Sequence, residues 1–257
     1  MDVGGPDSHS RPDFYGDHPI MTTSAPILCL ENISFSYPGQ DRVLNNLSLE
    51  INKGDRIGLV GPNGSGKTTL LHIIMGLLSP SAGTIEFFGK PVKTEKDFRE
   101  VYKKVGLLFQ DADDQLFSPT VLEDVAFGPL NLGKSKSEAR NIAQNTLERL
   151  GIVHFKNRVT HKLSGGEKRL VALATVLSME PELLLLDEPS TGLDEKTKAT
   201  LVEVLKRLEL SYILISHESD FMSQIANAMF MMKNGQLKKD VHIHQYIHKH
   251  PNPGQHH

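Results

Sequence analysis

The 257-residue sequence contains no tryptophan, a single cysteine and few aromatic residues of any kind. With one thiol, Cys29, no disulfide can form within the chain, which excludes a small cross-linked secreted scaffold. Long hydrophobic runs are also missing: aliphatic stretches such as Leu183 to Leu186 fall far short of the roughly 20 residues that cross a bilayer as a helix, so any membrane role must come through a partner. The opening residues lack the basic start, apolar stretch and small-residue cleavage site of a secretory signal, and a cytoplasmic location is expected. Nor is there an excess of charge of one sign. Against 31 Asp and Glu stand 28 Lys and Arg, and the formal net charge of -3 supplies no general drive toward nucleic acid or anionic lipid. What remains, 39% apolar and 23% charged residues, is an ordinary globular balance. The length is about twice the modal domain size and suits one large α/β domain or a domain with an insertion.

Residues 1–26 carry Pro6, Pro12, Pro19 and Pro26 with little periodicity and read as a flexible leader. From Ile27 to about Leu237, short β-type runs alternate with helical periodicity, the pattern of a mostly parallel sheet covered by helices. Ile33, Phe35 and Tyr37 alternate with polar residues, as do Leu47, Leu49 and Ile51, which predicts an antiparallel strand pair at the start. Compact apolar runs at Ile57 to Val60, Val105 to Phe109, Leu183 to Leu186 and Tyr212 to Ile215 read as buried parallel strands. Helical segments at Val121 to Leu130 and Ser137 to Leu150 interrupt that rhythm, and an inserted helical subdomain is expected over about 111–177. The division is therefore a leader at 1–26, a main domain at 27–239 and a histidine-rich tail at 240–257.

The string Gly61-Pro62-Asn63-Gly64-Ser65-Gly66-Lys67-Thr68-Thr69 follows one buried strand and opens a helix on which Leu70, Ile73, Ile74 and Leu77 keep helical spacing. The Gly-x-x-x-x-Gly-Lys-Thr pattern is thus present in both contexts it requires. Its glycines let backbone N–H groups wrap an anion, the helix N-terminus adds about half a positive charge, and Lys67 is a point cation for β and γ phosphates. Thr68 is placed to ligate Mg²⁺.

Asp187 and Glu188 end another buried strand, at the sheet edge where ligands bind in open α/β folds. Alternation separates their jobs: Asp187 for Mg²⁺, directly or through water, and Glu188 as general base for an attacking water. His217 follows the next strand and is placed to orient that water or Glu188. Gln110 ends the strand from Val105, where it completes the Mg²⁺ shell or senses the water.

A second string, Leu163-Ser164-Gly165-Gly166-Glu167-Lys168-Arg169, precedes a helix with Leu170, Leu173, Ala174 and Leu177 on one face. Ser164 and Glu167 have capping-box spacing. Capping does not explain the two glycines, which weaken a helix but permit close approach of a ligand to backbone.

Together these motifs, with LLLLDEPSTGLD (183–194), resemble in order and context an ATP-binding cassette (ABC) ATPase over about residues 27–237. The resemblance implies a P-loop NTPase core of α/β class with a mostly parallel sheet, an N-terminal antiparallel β subdomain and an inserted helical subdomain. It implies ATP and Mg²⁺ as ligands and a head-to-tail dimer in which Ser164, Gly165, Gly166 and Glu167 close over the partner's ATP, with Ser190 to Asp194 communicating across the dimer. Tyr37 matches the aromatic that stacks on adenine; a tyrosine on the core face of a strand is the other reading. Position 167 departs from the commonest residue, Gln. A carboxylate facing phosphate would repel it, whereas one folded back to its own helix start is neutralised there.

A narrower resemblance, in QDADDQLFSPTVLEDVAFGPLNLG (110–133), is to the ATPases of energy-coupling-factor importers, and most to their nickel and cobalt branch. It implies transmembrane coupling and substrate-binding subunits as partners, an identical or related second ATPase, peripheral attachment at the cytoplasmic membrane face, and no nucleic acid. An acidic loop at Asp111, Asp113 and Asp114 suits a basic helix of such a partner. A vitamin importer is the alternative. Cassette ATPases that act on DNA or ribosomes fit poorly, because the stretch between Lys67 and Ser164 has no room for long coiled coils and the chain has one cassette. In the tail, His242, His244, His248, His250, His256 and His257 suit Ni²⁺ or Co²⁺. An amphipathic helix at 241–247, a solvated tail and, for the final pair, a tag remnant are the other readings.

Overall fold

Apolar alternation in Leu28–Ser36 (β1) and Arg42–Ile51 (β2) sets the first pairing of the computed structural model, which describes residues 25–240. The strands run antiparallel with Leu28 opposite Ile51 and Leu30 opposite Leu49, and these side chains are buried on one face. Ala82–Phe87 (β4) adds to the other side of β1, and Lys90–Pro91 (β5) completes a four-stranded antiparallel sheet. The expected strand pair is thus one side of a larger sheet, with β2 at its edge; β4 begins Ala-Gly-Thr, too weak a strand signal to stand out in the sequence.

The second sheet collects Arg56–Val60 (β3), Val105–Leu108 (β6), Leu183–Asp187 (β7), Ser211–Ile215 (β8), Ala228–Lys233 (β9) and Gln236–Asp240 (β10). Their order is β10-β9-β3-β8-β7-β6, with parallel pairing throughout except at β10. β7 and β8 are buried along their whole length, so they read as continuous apolar runs. β10 returns from β9 through Asn234 and Gly235, both at positive φ, the two-residue turn that matches strand twist. The Gly235 carbonyl accepts the Asn45 N–H at 2.9 Å, bonding that turn to β2 of the other sheet.

Helices Lys67–Ile74 (α1), Glu95–Val101 (α2), Val121–Asn131 (α3), Lys136–Arg149 (α4), Gly165–Leu177 (α5), Glu195–Arg207 (α6) and Ser219–Ile225 (α7) cover the sheets. α3 and α4 fall where helical periodicity predicts them, each started by a capping box, Thr120 with Glu123 and Ser135 with Glu138. Val125, Ala143, Leu147 and Leu173 bury the contact among α3, α4 and α5. α5 lies close on β6 because Gly106 has no side chain: a Cβ there would sit 2.1 Å from Val176 Cγ1.

One expectation fails. Leu77 is not on the buried face of α1; it is 55% exposed and beyond the helix end. Gly76, at φ 67°, ends α1: its N–H donates to the Ile73 carbonyl, and Leu77 N–H donates to that of His72. That left-handed cap breaks the period. The leader and the histidine tail lie outside the described residues, whereas β10 includes Asp240.

Candidate nucleotide site

Between β3 and α1 the chain turns on glycines. Gly61, Gly64 and Gly66 have φ of 154°, 75° and 103°, values closed or costly to other residues. Gly61 is also pressed by its neighbours: a Cβ would meet the Met232 carbonyl of β9 at 2.4 Å. Gly64 opens to free space, as an anion cradle requires. Pro62 and Asn63 form the outer bend, and Ser65 N–H donates to the Pro62 carbonyl. Lys67 Nζ donates across the loop to the carbonyls of Gly61 (2.8 Å) and Pro62 (3.0 Å).

The carboxyl ends of β3, β6, β7 and β8 surround a cleft of about 750 Å³. Asn63, Gly64, Gly66, Lys67, Thr68, Thr69, Gln110, Asp187, Glu188, His217 and Tyr37 all border it. Tyr37 packs edge-on against Phe35, its hydroxyl lies 3.2 Å from Thr69 Oγ1, and it borders the cleft.

Asp187 ends β7 buried at 5% exposure, and burial pushes its carboxyl above the usual range. A Thr68 hydrogen bond and the charges of His72, Lys67 and Arg169 oppose that rise. Burial likewise lowers the Lys67 ammonium, against the pull of Glu188 and Asp187. A buried carboxylate beside a threonine hydroxyl is a donor set that suits a hard divalent cation.

Glu188 sits at φ 48°, a strained conformation for a non-glycine, and is held by its N–H on the Ile215 carbonyl. Its Oε2 accepts from Thr191 Oγ1 at 3.1 Å. Its Oε1 is buried without a hydrogen bond, with His217 Nε2 3.2 Å away but out of bonding alignment. Ser65 Oγ in the loop is likewise buried and unbonded. Buried polar atoms left unpaired cost about 1–3 kcal/mol each, so both fit a site that a polar ligand and its water complete.

Ser164, Gly165, Gly166 and Glu167 do not border the cleft. Ser164 and Gly165 are exposed at the start of α5, where the capping box forms: Ser164 Oγ accepts Glu167 N–H at 3.3 Å and Glu167 Oε2 accepts Ser164 N–H at 2.8 Å. Four further participants stand out only in three dimensions. Arg158 pairs with Glu167 Oε1, Arg169 donates to the Phe109 carbonyl, Thr191 holds Glu188, and Glu218 borders the cleft while paired to Lys198. Arg169 stands in the glycine-containing string itself, but periodicity marks only the apolar residues of that helix.

Residues 44–191 match the family described as ABC transporter. An energy-coupling factor transporter ATP-binding protein EcfA of Methanothermobacter thermautotrophicus is 42% identical over 212 residues, covering 81% of this chain and 68% of that protein. The solved structure of cbiO1 from Clostridium perfringens, described as part of the ABC transporter complex cbiONQ, superposes with a TM-score of 0.79 at 35% identity, covering 87% of this chain and 92% of that one. The cassette MJ0796, solved as a dimer in a post-hydrolysis state with ADP and Pi, gives 0.75 at 27% identity over 83% and 97%. With the phosphate loop, the paired carboxylates and the capped glycine string in this arrangement, the chain belongs to the ABC transporter family and is an ATP-hydrolysing cassette subunit.

Proposed function

We propose that this cassette energises a nickel or cobalt importer of the energy-coupling-factor type, as one half of a head-to-tail ATPase dimer. In that reading the loop N–H groups from Gly61 to Gly66 and Lys67 bind the β and γ phosphates, Pro62 and Asn63 shape the bend, and Tyr37 stacks on adenine. Thr68 and Asp187, with Gln110 beside them, hold Mg²⁺, which when bound neutralises charge on the phosphates. Thr69 lines the same cleft, and its hydroxyl anchors that of Tyr37 at 3.2 Å.

Glu188 Oε1 takes the proton of the attacking water as its oxygen bonds to the γ phosphorus and the bond to ADP breaks. His217 and Gln110 orient that water and sense the phosphate. Ser164, Gly165, Gly166 and Glu167, on the exposed end of α5, complete the partner's site. The single observation that carries the hydrolytic assignment is the buried, unbonded Oε1 of Glu188 in the same cleft as Lys67. Glu188→Gln is expected to keep MgATP binding and lose about 10²–10⁴ of turnover, measured by steady-state phosphate release; wild-type turnover would remove Glu188 from the base role.

Support for the importer comes from two features. The chain is similar to EcfA and cbiO1. An apolar pair, Phe117 (66% exposed) edge-on to Phe127 (43%), adjoins the acidic turn at Asp111 and Asp114, a surface suited to a basic, apolar helix of a transmembrane subunit. Asp113 of that turn is already paired with Lys168. Peripheral attachment to the cytoplasmic face follows from that docking. A vitamin cargo is the second reading. Assembled transporter in liposomes discriminates them: Ni²⁺ or Co²⁺ is expected to raise ATP hydrolysis, and stimulation by a vitamin alone would assign the other cargo.

A further inference from the structure

Glu167 puts a negative charge at the helix end to which the proposed function assigns a partner's phosphates, and the role inferred below for Arg158 rests on that assignment. A bare carboxylate there would oppose binding by like charge. In this chain both its oxygens are engaged. Oε2 accepts the Ser164 N–H at 2.8 Å, and Oε1 meets Arg158 Nη1 at 2.6 Å. Arg158 is itself held. Its guanidinium lies over the Phe155 ring, 5.0 Å from the centroid, its backbone N–H donates to the Phe155 carbonyl at 2.7 Å, and its carbonyl accepts Val121 N–H at 3.1 Å. The side chains are 39% and 28% exposed, so the pair contributes little to stability. Its worth lies in where it puts charge.

We propose that Arg158 is a positioning residue of the half-site on α5: it neutralises Glu167 and holds it over the helix cap, leaving the N–H groups of Gly165 and Gly166 for phosphate. The Arg158 bond and the Ser164 N–H also keep the Glu167 carboxyl below its ordinary range, hence ionised at neutral pH. Glutamine forms the same capping box without charge, so Glu167→Gln removes the need for Arg158 and leaves the cap intact.

The test uses the assembled transporter, purified through a tag on this chain, with ATP turnover measured against MgATP concentration. Arg158→Ala is expected to raise KM about tenfold, with kcat changed less, and the defect should shrink with added salt. Arg158→Lys should lie between the two. Glu167→Gln alone supplies the reference KM for an uncharged cap, and the Arg158→Ala/Glu167→Gln double variant should return close to that reference. Arg158→Gln, which keeps a stem over Phe155, carries the same comparison where the alanine variant fails to assemble. A double variant no better than the single one, a wild-type KM in Arg158→Ala, or loss of assembly in both Arg158 variants without rescue by Glu167→Gln overturns the proposal and leaves the half-site standing. Gly165→Asp separates the two ideas: wild-type turnover in that variant would remove the half-site itself.

Discussion

Arg169 Nη1 donates to the carbonyl of Phe109 at 2.8 Å, so the helix that begins at Gly165 is bonded to the residue immediately before Gln110. The guanidinium is buried at 7% exposure, and its charge interacts with Asp111, Asp187 and Glu188. It therefore ties the exposed glycine end of α5 to the wall of the chain's own cleft.

Breaking that tie is expected to cost stability and turnover together. A hydrogen bond from a charged donor contributes about 1.5–3 kcal/mol, and Arg169→Ala should lower unfolding free energy in urea by about that amount. Arg169→Lys, keeping charge but losing the planar fork, should recover part of the stability and less of kcat. Equal kcat in the lysine variant and wild type would show that charge alone suffices.

Asp187 trades stability for its site. Burial raises its carboxyl above the unfolded value, so the folded chain holds its proton to higher pH than the unfolded chain does. Its contribution to stability therefore falls as pH climbs from the ordinary aspartate value through the raised one, and the deficit is complete above it. Asp187→Asn should melt about 2–4 °C higher than wild type at pH 7, the gap closing toward pH 4, while ATP hydrolysis is lost. A melting gain independent of pH would assign the effect to packing.

Gly106→Ala should destabilise without touching the nucleotide loop. The added Cβ meets Val176 Cγ1 at 2.1 Å and Leu184 Cδ2 at 3.2 Å, and α5 must move off β6. Overpacking of this kind costs about 1–3 kcal/mol, read from the urea midpoint. Because α5 carries Ser164 to Gly166, turnover should fall more than affinity for ATP measured on the isolated chain.

The histidines between 242 and 257, which lie outside the described residues, are proposed to bind Ni²⁺ or Co²⁺ through imidazole nitrogens. Truncation after Asp240 is expected to leave ATP hydrolysis near wild type and abolish Ni²⁺ binding by calorimetry near neutral pH. In the intact chain binding should weaken below about pH 6.5, as protons compete for imidazole. Ni²⁺ binding undiminished by truncation would place the metal site elsewhere.

The cleft is legible in the sequence where chemistry demands a residue type at a fixed spacing: glycines that must take positive φ, a lysine at a helix start, acids at the end of an apolar strand. Gln110 and His217 join it because parallel strands bring their carboxyl ends together, and Tyr37 joins it from the end of β1 in the antiparallel sheet. Arg158 and Arg169 carry no such signal, since their partners, Glu167 and the Phe109 carbonyl, are identified only by how α3, α5 and β6 pack. The end of α1 departs from the sequence pattern for a local reason. Leu77 keeps the helical period by coincidence, and Gly76 stops the helix before it.

The two bonds from Lys67 to the carbonyls of Gly61 and Pro62 mean that the loop is braced by the same cation that is proposed to meet the triphosphate. Capture of nucleotide is then an exchange of acceptors rather than the ordering of a slack segment. Affinity measures the advantage of phosphate oxygens over two peptide carbonyls, and a ligand lacking the terminal phosphates offers Lys67 little reason to leave them.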